Sequence, residues 1–212
     1  MDTQIISISS PDALIFARLQ LDSSDVIAAP TDTVYGLMCH YDNPVAIDKL
    51  YVIKERPPER AIPVLIGDIH QIENLIAGEL SPLALELIEH LWPGALTLVL
   101  PAADTLPSEL TAGQPTIAIR MPNHPKLVQL LRETGPLAAT SANLSGHPDA
   151  LSARQVKEQL DGRLSLVLDD GPSPGGQSST IVAIPPNPNE IPTILRSGPL
   201  VQEVNNLLRS FQ

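Results

Sequence analysis

The residues best suited to chemistry lie in three short polar stretches. Pro30–Leu37 (PTDTVYGL) brings two threonine hydroxyls, a carboxylate and the Tyr35 phenol together within five residues, closed by Gly36. Lys54–Arg60 (KERPPER) holds three cations, Lys54, Arg56 and Arg60, around a stiff Pro57-Pro58 pair. Thr140–Gly146 (TSANLSG) offers Ser141, Asn143 and Ser145 ahead of a glycine. Cations fixed beside a helix end suit phosphate. Short hydroxyl and amide side chains beside backbone N–H groups cradle an anion or a carboxylate. Each stretch also has a plainer reading: a Thr/Asp turn, a solvated loop neutralised by Glu55 and Glu59, and a Ser/Asn turn.

Two further arginines bear on the choice. Arg120 and Arg196 each close an apolar strand, at IAIR and TILR. One such residue is usually a strand terminus or an ion pair. Two carry more weight in a chain with 13 Lys and Arg against 24 Asp and Glu, a net charge of −11. That balance argues against a general nucleic-acid or acidic-membrane binder, which carries a basic excess. Other chemistries find little support. The five histidines show no paired metal-ligand spacing, so no protein metal site is expected. Gly171–Thr180 lacks the Gly-Lys-Ser/Thr ending of a phosphate loop. Its G-x-S-x-G match at Gly171–Gly175 has no histidine downstream, the last being His147. Cys39 is the single cysteine and forms no internal disulfide, which fits a reducing compartment. No apolar run approaches membrane length, and the N-terminus shows no basic region ahead of an apolar core. A soluble, cytoplasmic protein is expected.

The elements that must hold these stretches read as interleaved strands and helices. Strands are expected at Ile5–Ile8, Val26–Ala29, Pro63–Ile66, Leu96–Leu100, Thr116–Arg120, Leu137–Ala139, Leu164–Leu168, Ser179–Ile184 and Thr193–Leu195. Helices are expected after Ser10-Pro11, Asn43-Pro44, Asp68, Ser81-Pro82, Pro125 and Ser152, residue types that suit helix starts. A last helix covers Val201–Arg209. Pro30 removes a backbone donor and stops the strand before it. Each polar stretch therefore falls at a strand end or a helix end, where α/β proteins place ligands. With 43% hydrophobic residues in 212, the chain can build a sizeable core. The expected class is α/β (α+β): one domain over 1–212 with a twisted mixed β-sheet flanked by helices.

Taken in order, the polar stretches resemble the YrdC family of L-threonylcarbamoyladenylate synthases. The motifs are PTDTVYGL; Lys54 and Arg56 followed by Pro57; Trp92-Pro93-Gly94 with Thr97; AIRMP at Ala118–Pro122; SANLSG at Ser141–Gly146; STI at Ser179–Ile181; and Leu195-Arg196 with Gly198-Pro199. They cover roughly residues 10–200, and their order is more specific than any one of them. The resemblance implies a YrdC-like fold with a concave, basic cavity, without the second C-terminal domain of longer members. It implies condensation of L-threonine, bicarbonate and ATP to threonylcarbamoyl-AMP and pyrophosphate, for N6-threonylcarbamoyladenosine formation in tRNA. By position, Lys54 and Arg56 take the catalytic role. Thr31, Tyr35, Thr116, Arg120 and Ser179 match residues for threonine and bicarbonate. Lys54, Arg56, Arg60, Ser141, Asn143 and Arg196 match residues for the nucleotide. Mg²⁺ is expected with ATP. The product is expected to pass to downstream tRNA threonylcarbamoyl-transferase proteins, with no strong nucleic-acid binding and no membrane contact.

Four positions depart from the family pattern: Leu65, Ala95, Ser178 and Ala183. None removes a cation, so they bear on substrate geometry rather than on the reaction. Two alternatives weigh less. A YrdC-like RNA-binding module needs a basic face with stacking aromatics, and only 3% of residues are aromatic. A paralogue with a different carbamoyl or adenylyl substrate fits less well with an intact SAN motif.

Overall fold

Side-chain alternation along the strands settles the architecture. The structure, a computed structural model, describes residues 2–187 and 190–211. Among these, ten strands form one mixed sheet. They are β1 (Gln4–Ser7), β2 (Ile27–Ala29), β3 (Gly36–His40), β4 (Val64–Leu65) and β5 (Leu96–Pro101), then β6 (Thr116–Arg120), β7 (Leu137–Ser141), β8 (Leu166–Asp169), β9 (Thr180–Ala183) and β10 (Thr193–Arg196). Their spatial order is β1-β8-β2-β3-β7-β4-β6-β5-β9-β10. Neighbours are parallel at β1/β8, β8/β2, β4/β6 and β5/β9, and antiparallel elsewhere. The helices are α1 (Ala13–Asp22), α2 (Pro44–Lys54), α3 (Pro82–Leu91), α4 (Ser108–Thr111), α5 (Pro125–Thr134), α6 (Ala153–Leu160) and α7 (Val201–Ser210). This is the mixed α/β class expected from the sequence. None of the described helices is long and apolar enough to cross a membrane.

Local chemistry explains most boundaries. Asn43, Ser81 and Ser152 each accept a backbone N–H at the start of α2, α3 and α6, at 3.2, 3.2 and 3.3 Å. Proline occupies the first turn of α2, α3 and α5, where its missing donor costs nothing. α1 begins at Ala13, later than Ser10-Pro11 suggests, and no side chain caps it. Two elements lie outside the sequence reading. β3 (GLMCH) lacks polar–apolar alternation, and α4 is a single turn.

The sheet has a core on each face. Ile27 and Ala29 of β2 face one core and Ala28 the other; Leu137 and Ala139 of β7 are likewise opposed to Ala138. Ala13, Ala17 and Leu21 of α1, with Leu127, Leu130 and Leu131 of α5, build the first core against β8, β2, β3, β7 and β4. The other five helices contribute to the second, larger core. The first core ends at Leu65 of β4. From there the register carries the same face across the sheet: Leu65 pairs with Arg120, Thr97 with Ile181, and Ile181 with Arg196. Those side chains line a cavity instead of a core.

Candidate functional site

Thr31 shapes the turn that opens this cavity. Its hydroxyl accepts the N–H of Thr33 and Val34 at 3.0 and 3.2 Å and donates to the Val34 carbonyl at 2.7 Å. The plain Thr/Asp-turn reading is thus correct for Thr31, and the same turn has a second effect. It presents Asp32 and Thr33 to Arg120, whose Nη2 donates to Asp32 Oδ1 at 2.5 Å and Nη1 to Thr33 Oγ1 at 2.8 Å. Arg120 Nε donates to the Gly94 carbonyl at 2.9 Å, so the Trp92-Pro93-Gly94 stretch completes the clamp. Burial pushes the Arg120 pKa down and Asp32 opposes that shift, which leaves a charged, immobile guanidinium. The Gly171–Thr180 loop backs the turn from behind. A Cβ on Gly175 would meet the Asp32 carbonyl at 2.5 Å, so only glycine permits that approach.

Ser179 anchors the opposite wall. Its hydroxyl lies 2.7 Å from Thr97 Oγ1 and accepts from Arg196 Nη2 at 3.1 Å, while its carbonyl accepts Arg196 Nε at 2.9 Å. The cavity, open to solvent at its mouth, is about 110 Å³. Val34, Leu65, Ala139 and Ile181 give it an apolar part beside the two arginines and the hydroxyls. That volume is well below the roughly 300–1,000 Å³ of sites that enclose drug-sized ligands. It suits a molecule of amino-acid size, with an anionic end for the arginines and a small apolar group.

Lys54 lies behind Ser141. It is 4% exposed, and its amine donates among four oxygens: Ser141 O at 2.6 Å, Ser141 Oγ at 3.2 Å, Asn143 O at 2.9 Å and Asn143 Oδ1 at 2.8 Å. Asn143 Nδ2 in turn donates to the His147 carbonyl at 2.6 Å. The SAN turn and the end of α2 are therefore one unit, knotted by a buried ammonium. Burial, with nearby Arg56 adding to it, pushes the Lys54 pKa down to about 8. Asp149, which accepts from Ser178 Oγ at 2.8 Å, acts against the burial effect on both Lys54 and Arg196.

Of the residues singled out from the sequence, Thr31, Arg120, Ser141, Ser179 and Arg196 come together around one cavity. For five others of them the structure gives a position or a partner that residue type alone does not. Thr116 is exposed at the far end of β6, where it pairs with Pro101; four residues of strand, about 13 Å, separate it from Arg120. Tyr35 belongs to the cavity lining, but its ring is fully buried and its hydroxyl serves the turn after β8, near Gly171 O at 2.7 Å and Asp169 Oδ1 at 3.1 Å. Burial and those acidic neighbours raise its pKa to about 12, so it is a neutral donor there. Lys54 fastens the SAN turn rather than reaching the cavity. Arg56 and Arg60 stay outside the lining; Arg56 Nε and Nη2 bind the carbonyls of Arg60 and Ala61, and Arg60 is exposed. Thr33 and Thr97 also line the cavity; the sequence reading includes both in its motifs but gives neither a site role. Thr97 alone carried a signal, as the one polar residue inside the apolar run of β5. Among the described residues, no group of three or more His, Cys, Asp or Glu could hold a metal ion.

The Sua5/YciO/YrdC family model, described as telomere recombination, matches residues 20–198. The chain belongs to this family. It is 42% identical over 203 residues to the threonylcarbamoyl-AMP synthase of Bacillus subtilis, covering 95% of this chain and 57% of that protein. It is 35% identical over 185 residues to the threonylcarbamoyl-AMP synthase of Photobacterium profundum, covering 84% and 95%. In three dimensions it resembles Pyrococcus abyssi Sua5 complexed with L-threonine, with a TM-score of 0.90, 33% identity, and 97% and 61% coverage. The chain thus spans little more than half of the Bacillus protein's length, while it matches nearly all of the Photobacterium one.

Proposed function

We propose that this chain is an L-threonylcarbamoyladenylate synthase, a nucleotidyltransferase that condenses L-threonine, bicarbonate and ATP and releases pyrophosphate. The observation that carries the reading is the cavity itself, of amino-acid size, in which Arg120 and Arg196 converge with Thr33, Thr97 and Ser179. Relatives named threonylcarbamoyl-AMP synthases, and the neighbour complexed with L-threonine, support the choice of amino acid.

In this reading threonine's carboxylate meets the arginines, which bind a planar anion in fixed geometry. Its methyl lies toward Leu65, Ala139 and Ile181. The amine nitrogen bonds to the bicarbonate carbon with loss of water. A carbamate oxygen then attacks the α-phosphorus of ATP, and the bond to the leaving pyrophosphate breaks. No protein nucleophile is required; the protein's part is positioning and charge neutralisation. The nucleotide exceeds the cavity and lies over its mouth, between the SAN turn and the Lys54–Arg60 loop. Lys54 holds that turn in place, and Arg56 is the cation nearest at hand for the phosphates. Mg²⁺ would come with ATP and neutralise charge on its phosphates, a role that needs few protein ligands. The adenylate is labile, and downstream tRNA-modifying transferases in the cytoplasm receive it. A net charge of −11 leaves this chain poorly suited to hold tRNA itself.

The test is product analysis with α-labelled ATP, Mg²⁺, threonine and bicarbonate. Pyrophosphate and an adenylate that decays to AMP should form only with threonine and bicarbonate together. Stoichiometric ADP and phosphate would overturn the reading.

A further inference from the structure

Tyr51 belongs to none of the motifs above, yet it touches the Lys54–Arg60 loop at both ends. Its backbone carbonyl accepts the Arg56 N–H at 3.0 Å. Its phenol donates to the Arg60 carbonyl at 2.8 Å, with the Glu109 carbonyl of α4 also near, at 3.1 Å. The Arg60 carbonyl is shared, for it also accepts Arg56 Nε at 3.1 Å, and the next carbonyl, Ala61 O, accepts Arg56 Nη2 at 2.8 Å. Between these ends the loop is exposed, and Pro57 and Pro58 offer it no N–H. The Tyr51 ring, by contrast, is packed in the larger core. One core residue therefore fixes both the span of the loop and the carbonyl that orients the arginine.

We propose that Tyr51 is a positioning residue for Arg56, setting where its guanidinium stands when ATP arrives at the cavity mouth. The proposal rests on the functional reading above. A buried phenol needs some partner in any fold. That general need does not explain a partner shared with the one arginine of the loop that lies closest to Lys54 in sequence.

Tyr51→Phe keeps the ring and removes the hydroxyl. KM for ATP should rise about three- to tenfold, the worth of one hydrogen bond, while KM for threonine stays within about twofold. In an Arg56→Ala background the same change should have no further effect on ATP, since Tyr51 acts through Arg56, by the shared carbonyl and by direct contact. Unchanged constants, equal rises in both, or a lower melting temperature with neither KM moved would each overturn the inference. So would additive effects of the two substitutions. A wild-type chain that releases no pyrophosphate would instead overturn the reading of the site, and this role with it.

Discussion

The cavity wall and the Lys54–Arg60 loop hold their cations by opposite means. Arg120 is buried, and its three partners sit where strand ends and adjoining turns place them. Arg196 is bound at both Nε and Nη2 to a single residue, Ser179, at the start of the neighbouring strand. Arg56, however, is held by the carbonyls of Arg60 and Ala61 and by the Tyr51 phenol beside it, and Arg60 stands in solvent. The difference follows the proposed ligands. A small substrate poised for attack tolerates little displacement, so its contacts belong on the sheet. A triphosphate is long, hydrated and charged along its length, so a loop with a few firm ties can meet it.

The contrast breaks first, and hardest, at Arg120. Arg120→Met should lower stability by about 3–5 kcal/mol, because Asp32 stays largely buried without its partner. Chemical denaturation measures this directly. A loss below about 1 kcal/mol would mean that the wall is no more rigid than the loop.

Lys54 lies at the junction of the two regions and sharpens the comparison. Lys54→Ala should lower turnover roughly 10²-fold, as expected when a distant change lets a positioning turn shift by an ångström or so, with the fold retained by circular dichroism. Wild-type turnover in a folded variant would detach the SAN turn from the reaction. The same lysine predicts a pH response. Its charged form serves the SAN oxygens with three N–H donors, and it titrates near pH 8. Turnover should therefore be level below that pH and decline above it. Stability moves the other way. The folded state holds this proton less tightly than the unfolded one, so the group's contribution to stability rises between about 8 and the ordinary value of 10.5. A rate that stays level to pH 9.5 or so would show that the charge on Lys54 is immaterial.

The smallest effect is expected at Arg60. Its backbone carbonyl is engaged but its side chain is exposed, so Arg60→Ala should leave kcat/KM within about twofold. A tenfold loss would bring Arg60 into the phosphate site and blur the distinction between wall and loop.

Much of the wall was legible in the sequence, because its residues end apolar strands and alternation fixes which face they take. Arg120 and Arg196 were found that way. Thr116 shows the limit: it sits on the correct face of β6 but at the wrong end, and a pattern of period two carries face without saying which end is nearer the site. Tyr35 lines the cavity, yet the direction of its hydroxyl was not legible. Its phenol could reach a ligand or a neighbouring turn, and the choice depends on β8, which lies more than a hundred residues away in the chain. Lys54 and Arg56 were legible as charges but not as partners. Residue type announces a cation; only packing tells whether that cation faces solvent, substrate or the protein's own carbonyls.

The register that builds the cavity also limits how this site can change over time. Along β6, Ile117 and Ile119 belong to the larger core, whereas Ala118 pairs with Val99, and Val99 with Ala183, on the cavity side of the sheet. Exchanging Ile181 alters the cavity floor and leaves both cores untouched. Deleting Thr116 at the start of β6 would slip the rest of the strand by one, turning both isoleucines outward and driving Arg120 into apolar packing. New substrate preferences in this lineage are therefore reachable by substitution on the floor and by loop change at strand ends, while insertions and deletions within the central strands are closed to it.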